Sequence, residues 1–301
     1  MTISGWFTRG QGALFATYDG PATGRVRAAV LLCPSMGLED IFGFFPLRLI
    51  AERLAEAGFA TLRLQYDGTG DSAGRGDAEH RVAAWQASIQ SAAELLRQST
   101  QAPIGVVGLR LGALLAASVV SPSAGIDALA LWGMPYTGRE FLREQRARHA
   151  VSVREPSDSP DLTVMGATYS AQTQQDLQGL RVPPDVPHHV PHVLALSRAA
   201  SLNGARRAFG EPNTSVRIAE APDLDDMLLS RKVPTRSLDA IVSWFESVYP
   251  PGAEHEVDFR NRLETEVIID VNGVPVKERF HPAGPHRLAT IISERLSGPD
   301  T

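Results

Sequence analysis

The stretch VVGLRLGALLAASVV (residues 106–120) holds the chain's most informative turn. An apolar run meets Gly108, and small and aliphatic residues continue beyond Gly112 with helical character. The glycines stand as in G-x-S-x-G, a sharp strand-to-helix turn that lifts a serine hydroxyl clear of a sheet. The middle residue here is Arg110. A guanidinium with a pKa above about 12 is neither a nucleophile nor a base. The turn is present and its nucleophile is not.

Upstream, AAVLLC (28–33) is a continuous apolar run, as a strand buried on both faces requires. Residues 46–57 set Leu47, Ile50 and Leu54 at helical spacing, with Gly58 placed to end the helix. ATLRLQY (60–66) reads as a strand that breaks at Asp67-Gly68 and Gly70. A helix is expected over 82–98, with Trp85, Ile89, Ala92, Ala93 and Leu96 on one stripe. IGVVGL (104–109), the helix 111–120 and ALALWG (128–133) complete the alternation. Strands separated by helices of this length point to βαβ units and a mostly parallel, twisted sheet covered by helices.

Regularity lapses over 135–190, which is Arg-rich, then irregular, and ends in VPPDVPHHVPHV. That is the place for a cap inserted between strands. HVLALS (192–197) and SVRIAEA (215–221) supply two further strands, and an amphipathic helix over 237–248 closes the core. After Pro250-Pro251, TEVIIDVNGVPVKERF (265–280) has β-prone runs on either side of Asn272-Gly273, a hairpin signal, and HRLATIIS (286–293) continues it. The expected organisation is a β lead-in at 1–27, a core at 28–250 with its cap at 135–190, and a C-terminal β-hairpin extension at 251–301. FTRGQGALFATYDGP (7–21) and FHPAGPHRLATIISER (280–295) echo one another in the order of Phe, Gly, Leu and Ala. Two amphipathic hairpins can resemble each other by chance. Alternatively, the tail copies the lead-in of a second module or pairs with a neighbouring subunit's edge.

Composition sets bounds on partners. The 301 residues are 43% apolar and 21% charged, ordinary for a chain with a sizeable core. A net charge of −5 without a Lys/Arg-rich run excludes a nucleic-acid footprint. Cys33 stands alone, so neither an internal disulfide nor a Cys-rich zinc site is available. MTISGWFTRG lacks a charged segment followed by an apolar one, and no apolar run approaches the roughly 20 residues that span a bilayer. A cytoplasmic protein with no membrane partner is expected. His188, His189 and His192 cluster in the Pro-rich stretch without a carboxylate read at ligand spacing, and Gly68, Gly70 and Gly74 match no phosphate loop. No metal and no cofactor are expected.

Four segments line up in order: LLCPSMG (31–37) after the first core strand, YDGTGDSAG (66–74) after the next, GLRLGA (108–113) at the turn, and APDLDDMLL (221–229) before the last helix. Together they resemble the α/β-hydrolase superfamily over roughly residues 28–248. The type they resemble is the serine-aminopeptidase-like and exosortase-associated hydrolases. GREFLRE (138–144) and GATYSAQTQQDL (166–177) in the cap are also similar to that subgroup. The resemblance implies an α/β-hydrolase fold with an inserted cap, and a Ser-His-Asp triad. The triad is where this chain departs. The nucleophile's place falls on Arg110, the acid's on Arg198, Ala199 and Ala200, and the histidine's near Ser230, Arg231 and Lys232. No histidine occurs between His192 and His255.

Main-chain donors at Met36 and Leu111 are expected to survive as an oxyanion cradle, an arrangement worth about 2.7–4 kcal/mol per donor in enzymes. Arg110 beside the positive end of a helix calls for an anion. Glu39, Asp40, Asp225 and Asp226 are candidates within the chain, and a ligand carboxylate or phosphate is the alternative. Ser35 is a candidate displaced hydroxyl, although a serine after Pro34 is more simply a turn residue. Three functions remain open. One is non-hydrolytic chemistry, of epimerase, isomerase, lyase or cyclase type, on a carboxylate-bearing peptide or natural-product intermediate, with Arg110, Met36, Leu111, Asp225 and Asp226 in catalytic roles and Ser35, Glu39, Asp40 and Arg110 holding substrate. The second is a non-catalytic binding or scaffold protein, including a homodimer through the C-terminal hairpin. The third is an esterase or peptidase with a relocated serine.

Overall fold

The computed structural model describes residues 1–9, 12–152, 159–164, 166–271, 273–281 and 289–296. A hairpin of β1 (Thr2–Arg9) and β2 (Gly12–Asp19) is followed by the short β3 (Arg25–Val26). Strands β4 (Ala29–Cys33), β5 (Ala60–Leu64), β6 (Ile104–Leu109) and β7 (Ala128–Trp132) then alternate with α1 (Leu38–Glu56), α2 (Arg81–Ser99) and α3 (Leu111–Ser118). The cap holds α4 (Gly138–Ser152), β8 (Leu162–Val164), β9 (Ala167–Tyr169), α5 (Ala171–Gly179) and α6 (Val186–His189). The core resumes with β10 (His192–Ser197), α7 (Leu202–Phe209), β11 (Val216–Glu220), α8 (Leu224–Ser230) and α9 (Thr235–Val248). The chain continues through β12 (His255–Glu256), β13 (Glu266–Val271), β14 (Val274–His281) and β15 (Thr290–Arg295).

Among the described residues the main sheet runs β1-β2-β5-β4-β6-β7-β10-β11, parallel from β5 to β11. Every residue of β4, β6 and β7 is buried, which matches their unbroken apolar sequence. Leu31, Val106 and Leu129 point toward α2 and α3, while Leu32, Val107 and Ala130 point toward α1, α8 and α9. Burying each such aliphatic side chain contributes about 1.5–3 kcal/mol, so the sheet's centre is the stable frame for whatever its strand ends carry.

One expectation needs revision. Helix α1 begins at Leu38, well before the expected residue 46, and Pro46 lies inside it. Packing prevails over the helix-starting preference of proline: a Cβ on Gly43 would stand 2.4 Å from Leu109 Cδ2, so the first half of the helix lies directly on β6. The lead-in joins the core, where β2 pairs antiparallel with β5 and extends the main sheet. The C-terminal extension is a three-stranded sheet, β13-β14-β15, seated on that same lead-in. Trp6, Phe15 and Val267 form the contact with Ile269, Phe280 and Ile291, and Trp6 exchanges main-chain hydrogen bonds with Glu264 of 2.8 and 2.6 Å. Asn272 of the expected turn and residues 282–288 of the echo lie outside the described residues. Among the described residues no helix is long and apolar enough to cross a membrane.

Candidate functional site

The turn after β6 keeps the geometry expected of a nucleophile elbow. Arg110 has φ 54° and ψ −119°, a conformation L-residues avoid at a cost of about 1–3 kcal/mol. Its N–H continues the ladder to the Trp132 carbonyl at 2.9 Å, and its carbonyl accepts from Ala113 at 3.0 Å. Two glycines make the crossing possible. A Cβ on Gly108 would stand 2.3 Å from Ala113 Cα, and one on Gly112 would stand 2.0 Å from the Pro34 carbonyl oxygen. The sharp turn is therefore a packing solution between β6, α3 and the segment after β4, whatever side chain sits at its apex.

That side chain is turned inward, with Arg110 only 1% exposed. Nε donates to Glu39 Oε2 at 3.2 Å and Nη2 to Glu39 Oε1 at 3.1 Å, a bidentate pair. Nη1 donates to the Gly133 carbonyl at 2.7 Å, and Nη2 also donates to Glu144. Glu39 is equally buried and accepts from Ser35 Oγ at 2.9 Å, Arg148 Nη1 at 2.6 Å and Gln145 Nε2 at 3.4 Å. Burial alone would push its carboxyl up, but the charges of Arg110 and Arg148 and the hydrogen bonds from Arg110 and Ser35 outweigh that and hold it below the ordinary carboxylate range. Burial likewise pulls the Arg110 guanidinium down, and Glu39 and Glu144 reverse the effect and raise it.

The network continues outward. Glu144 Oε1 accepts from Arg198 Nη1 at 3.4 Å, and Arg198 Nε donates to Asp225 Oδ1 at 2.6 Å. The order is Arg148, Glu39, Arg110, Glu144, Arg198, Asp225, with alternating sign. It runs from the cap through the apex of the elbow (Arg110) to the residue after β10 (Arg198) and to α8 (Asp225). Glu144, Gln145 and Arg148 all come from α4, so the cap is tied by ionic bonds onto the elbow. The sequence pointed to Glu39 as one of four counterion candidates but missed Glu144 and Arg148. Their signal was an i,i+4 pair of opposite charges in the cap, which reads equally well as a solvated helix face.

The other candidates are scattered. Asp225 meets Arg198, not Arg110, and Asp226 lies 3.3 Å from Lys232 Nζ. Asp40 lines a cleft by the sheet edge and makes no side-chain contact with Arg110 among the described residues. Met36 and Leu111 are fully packed, and Ser35 is buried with its hydroxyl on Glu39. Cys33 is buried, and burial pushes its thiol up in spite of a hydrogen bond with Tyr66. The Pro-rich stretch does hold a carboxylate that the sequence reading overlooked: Asp185 Oδ2 lies 3.0 Å from His189 Nε2, one helical turn away. Among the described residues no group of three or more His, Cys, Asp and Glu is placed to hold a metal.

No family model and no curated protein matches the chain. Solved structures do. Est1E of Butyrivibrio proteoclasticus with ferulic acid bound aligns at 16% identity and a TM-score of 0.54, covering 78% of this chain and 99% of that one. A hypothetical protein of Pseudomonas aeruginosa aligns at 18% and 0.58, covering 82% and 92%. A lidless α/β serine hydrolase of Xanthomonas campestris aligns at 15% and 0.53, covering 84% and 97%. At these identities the likeness establishes the fold. The chain has the α/β-hydrolase fold.

Proposed function

We propose that this protein is a non-catalytic member of its fold class, a binding or scaffold component whose former catalytic centre has become a structural ion-pair network. The observation that carries this reading is the saturation of Arg110. Its guanidinium is spent on Glu39, Glu144 and the Gly133 carbonyl, and none of these partners is a ligand. A substrate carboxylate would have to displace a buried carboxylate already held by two arginines. Ser35 is a poor nucleophile for a related reason. Among the described residues the base beside it is Glu39, whose proton affinity is lowered by the same arginines, and a serine needs a base of higher affinity to be activated. A homodimer through the C-terminal sheet belongs to the same proposal, since β15 pairs only with β14 among the described residues.

The non-hydrolytic enzyme reading keeps one observation in its favour, the preserved elbow backbone at Arg110. The discriminating experiment is a fluorophosphonate probe followed by intact-mass measurement, together with turnover of short-chain nitrophenyl esters. An unlabelled, inactive protein is expected. Labelling at Ser35, or ester turnover that Ser35→Ala abolishes, would overturn the proposal.

A further inference from the structure

Between α1 and the C-terminal sheet, a cleft of about 670 Å³ opens over one face of β1, β2 and β5. Its floor joins polar side chains, Thr2 and Ser4 from β1, Thr17 and Asp19 from β2 and Arg63 from β5, to the ring of Phe15. One wall is α1, with Asp40, Phe44 and Arg48. The other is the C-terminal sheet, with Phe280, Thr290 and Ile291. A largely polar sheet face beneath two walls bearing aromatic rings is a shape a hydrophobic core does not need.

The charges in the cleft decide what it takes. Arg63 Nη2 lies 3.3 Å from Asp19 Oδ2, whose other oxygen accepts from Thr2 Oγ1 at 2.6 Å. Arg48 Nε lies 2.8 Å from Glu52 Oε1. Both arginines are thus neutralised by the cleft's own carboxylates. Asp40 is left over: no hydrogen bond or ion pair engages its carboxyl among the described residues, and burial pushes it up to about 6. On the floor, Arg63 Nε is buried without an acceptor. A desolvated carboxyl without a cation thus lines a cavity whose two walls carry Phe44 and Phe280.

We propose that this cleft binds an organic ammonium ion with an aromatic or aliphatic body, its cation on Asp40 and its body between Phe44 and Phe280. The inference deepens the binding reading above by naming a ligand class, and the cleft's geometry does not depend on the elbow being silent.

The test is titration calorimetry of the full chain with three probes of similar size: phenethylammonium, phenethyl alcohol and 3-phenylpropionate. Phenethylammonium should bind, the alcohol more weakly and the carboxylate not at all. Asp40→Asn should weaken phenethylammonium about tenfold and erase the preference over the alcohol. Phe44→Ala should weaken both. Neither variant endangers folding, since among the described residues no hydrogen bond or ion pair engages the Asp40 carboxyl, and Phe44 is 56% exposed. Equal binding to wild type and Asp40→Asn, tighter binding of the carboxylate, or no heat from phenethylammonium at millimolar concentration would overturn the proposal. Probe labelling at the elbow with ammonium binding intact would instead sink the non-catalytic reading and leave the cleft standing.

Discussion

Replacing Arg110 by methionine tests the network at its centre. The substitution removes four hydrogen bonds at once and leaves the buried Glu39 carboxylate facing Arg148, Ser35 and Gln145. Removing one partner of a buried ion pair costs about 3–5 kcal/mol, mostly from the charge left behind. Because Arg148 stays 2.6 Å from Glu39, the expected loss lies near the lower end, about 3 kcal/mol. Against a typical domain stability of about 5–15 kcal/mol, that is easily measured. Urea unfolding followed by circular dichroism should show a lower midpoint with an unchanged slope. The double variant Arg110→Met/Glu39→Met removes the stranded charge along with its partner. It should recover part of the loss, with a coupling of about 1–3 kcal/mol. A single-variant loss under about 1 kcal/mol, or strictly additive effects, would show that the guanidinium does not hold the cap to the elbow, and the structural account of the site would fall.

Arg110→Gly and Arg110→Ala delete the same interactions but differ in backbone preference. At φ 54° the glycine variant should be the more stable by about 1 kcal/mol, read from the same urea curves. Gly112→Ala forces a Cβ to 2.0 Å from the Pro34 carbonyl, between backbone segments that cannot yield cheaply, and should lower the melting temperature far more than an exposed Gly→Ala change. Asp40 titrates near 6 in the folded chain against about 3.9 unfolded, so its contribution is favourable at low pH and is lost as pH rises through about 4 to 6. Asp40→Asn should therefore stabilise the protein by about 1–3 kcal/mol at pH 7.5 and by nothing measurable at pH 4. A stabilisation independent of pH would remove burial of that carboxyl as the cause.

Much of the architecture was legible because it depends on local pattern. The wholly apolar strands β4, β6 and β7 announced a sheet covered on both faces, and the stripe from Trp85 to Leu96 announced α2. The spacing of Gly108 and Gly112 announced the elbow, since it is dictated by main-chain crowding and holds for any apex residue. Helix α1 was read too short because Pro46 is a strong local signal, and only the seating of Gly43 on Leu109 shows why the helix runs through it.

What the linear order determined was the frame and the presence of an arginine at the apex of the turn after β6. What it left undecided was the fate of Arg110, because a guanidinium can equally reach for a ligand or fold back on a carboxylate. Glu39 lies 71 residues before Arg110, and Glu144 and Arg198 lie 34 and 88 residues after Arg110 in sequence. Ion pairing falls off over a few ångströms and carries no periodicity along a chain, so nothing short of the folded arrangement could choose among those partners. The same holds for the cleft by the sheet edge. Asp40 and Arg63 belong to separate elements, and Phe280 comes from the far end of the chain. Only the docking of the C-terminal sheet on the lead-in brings them around one space.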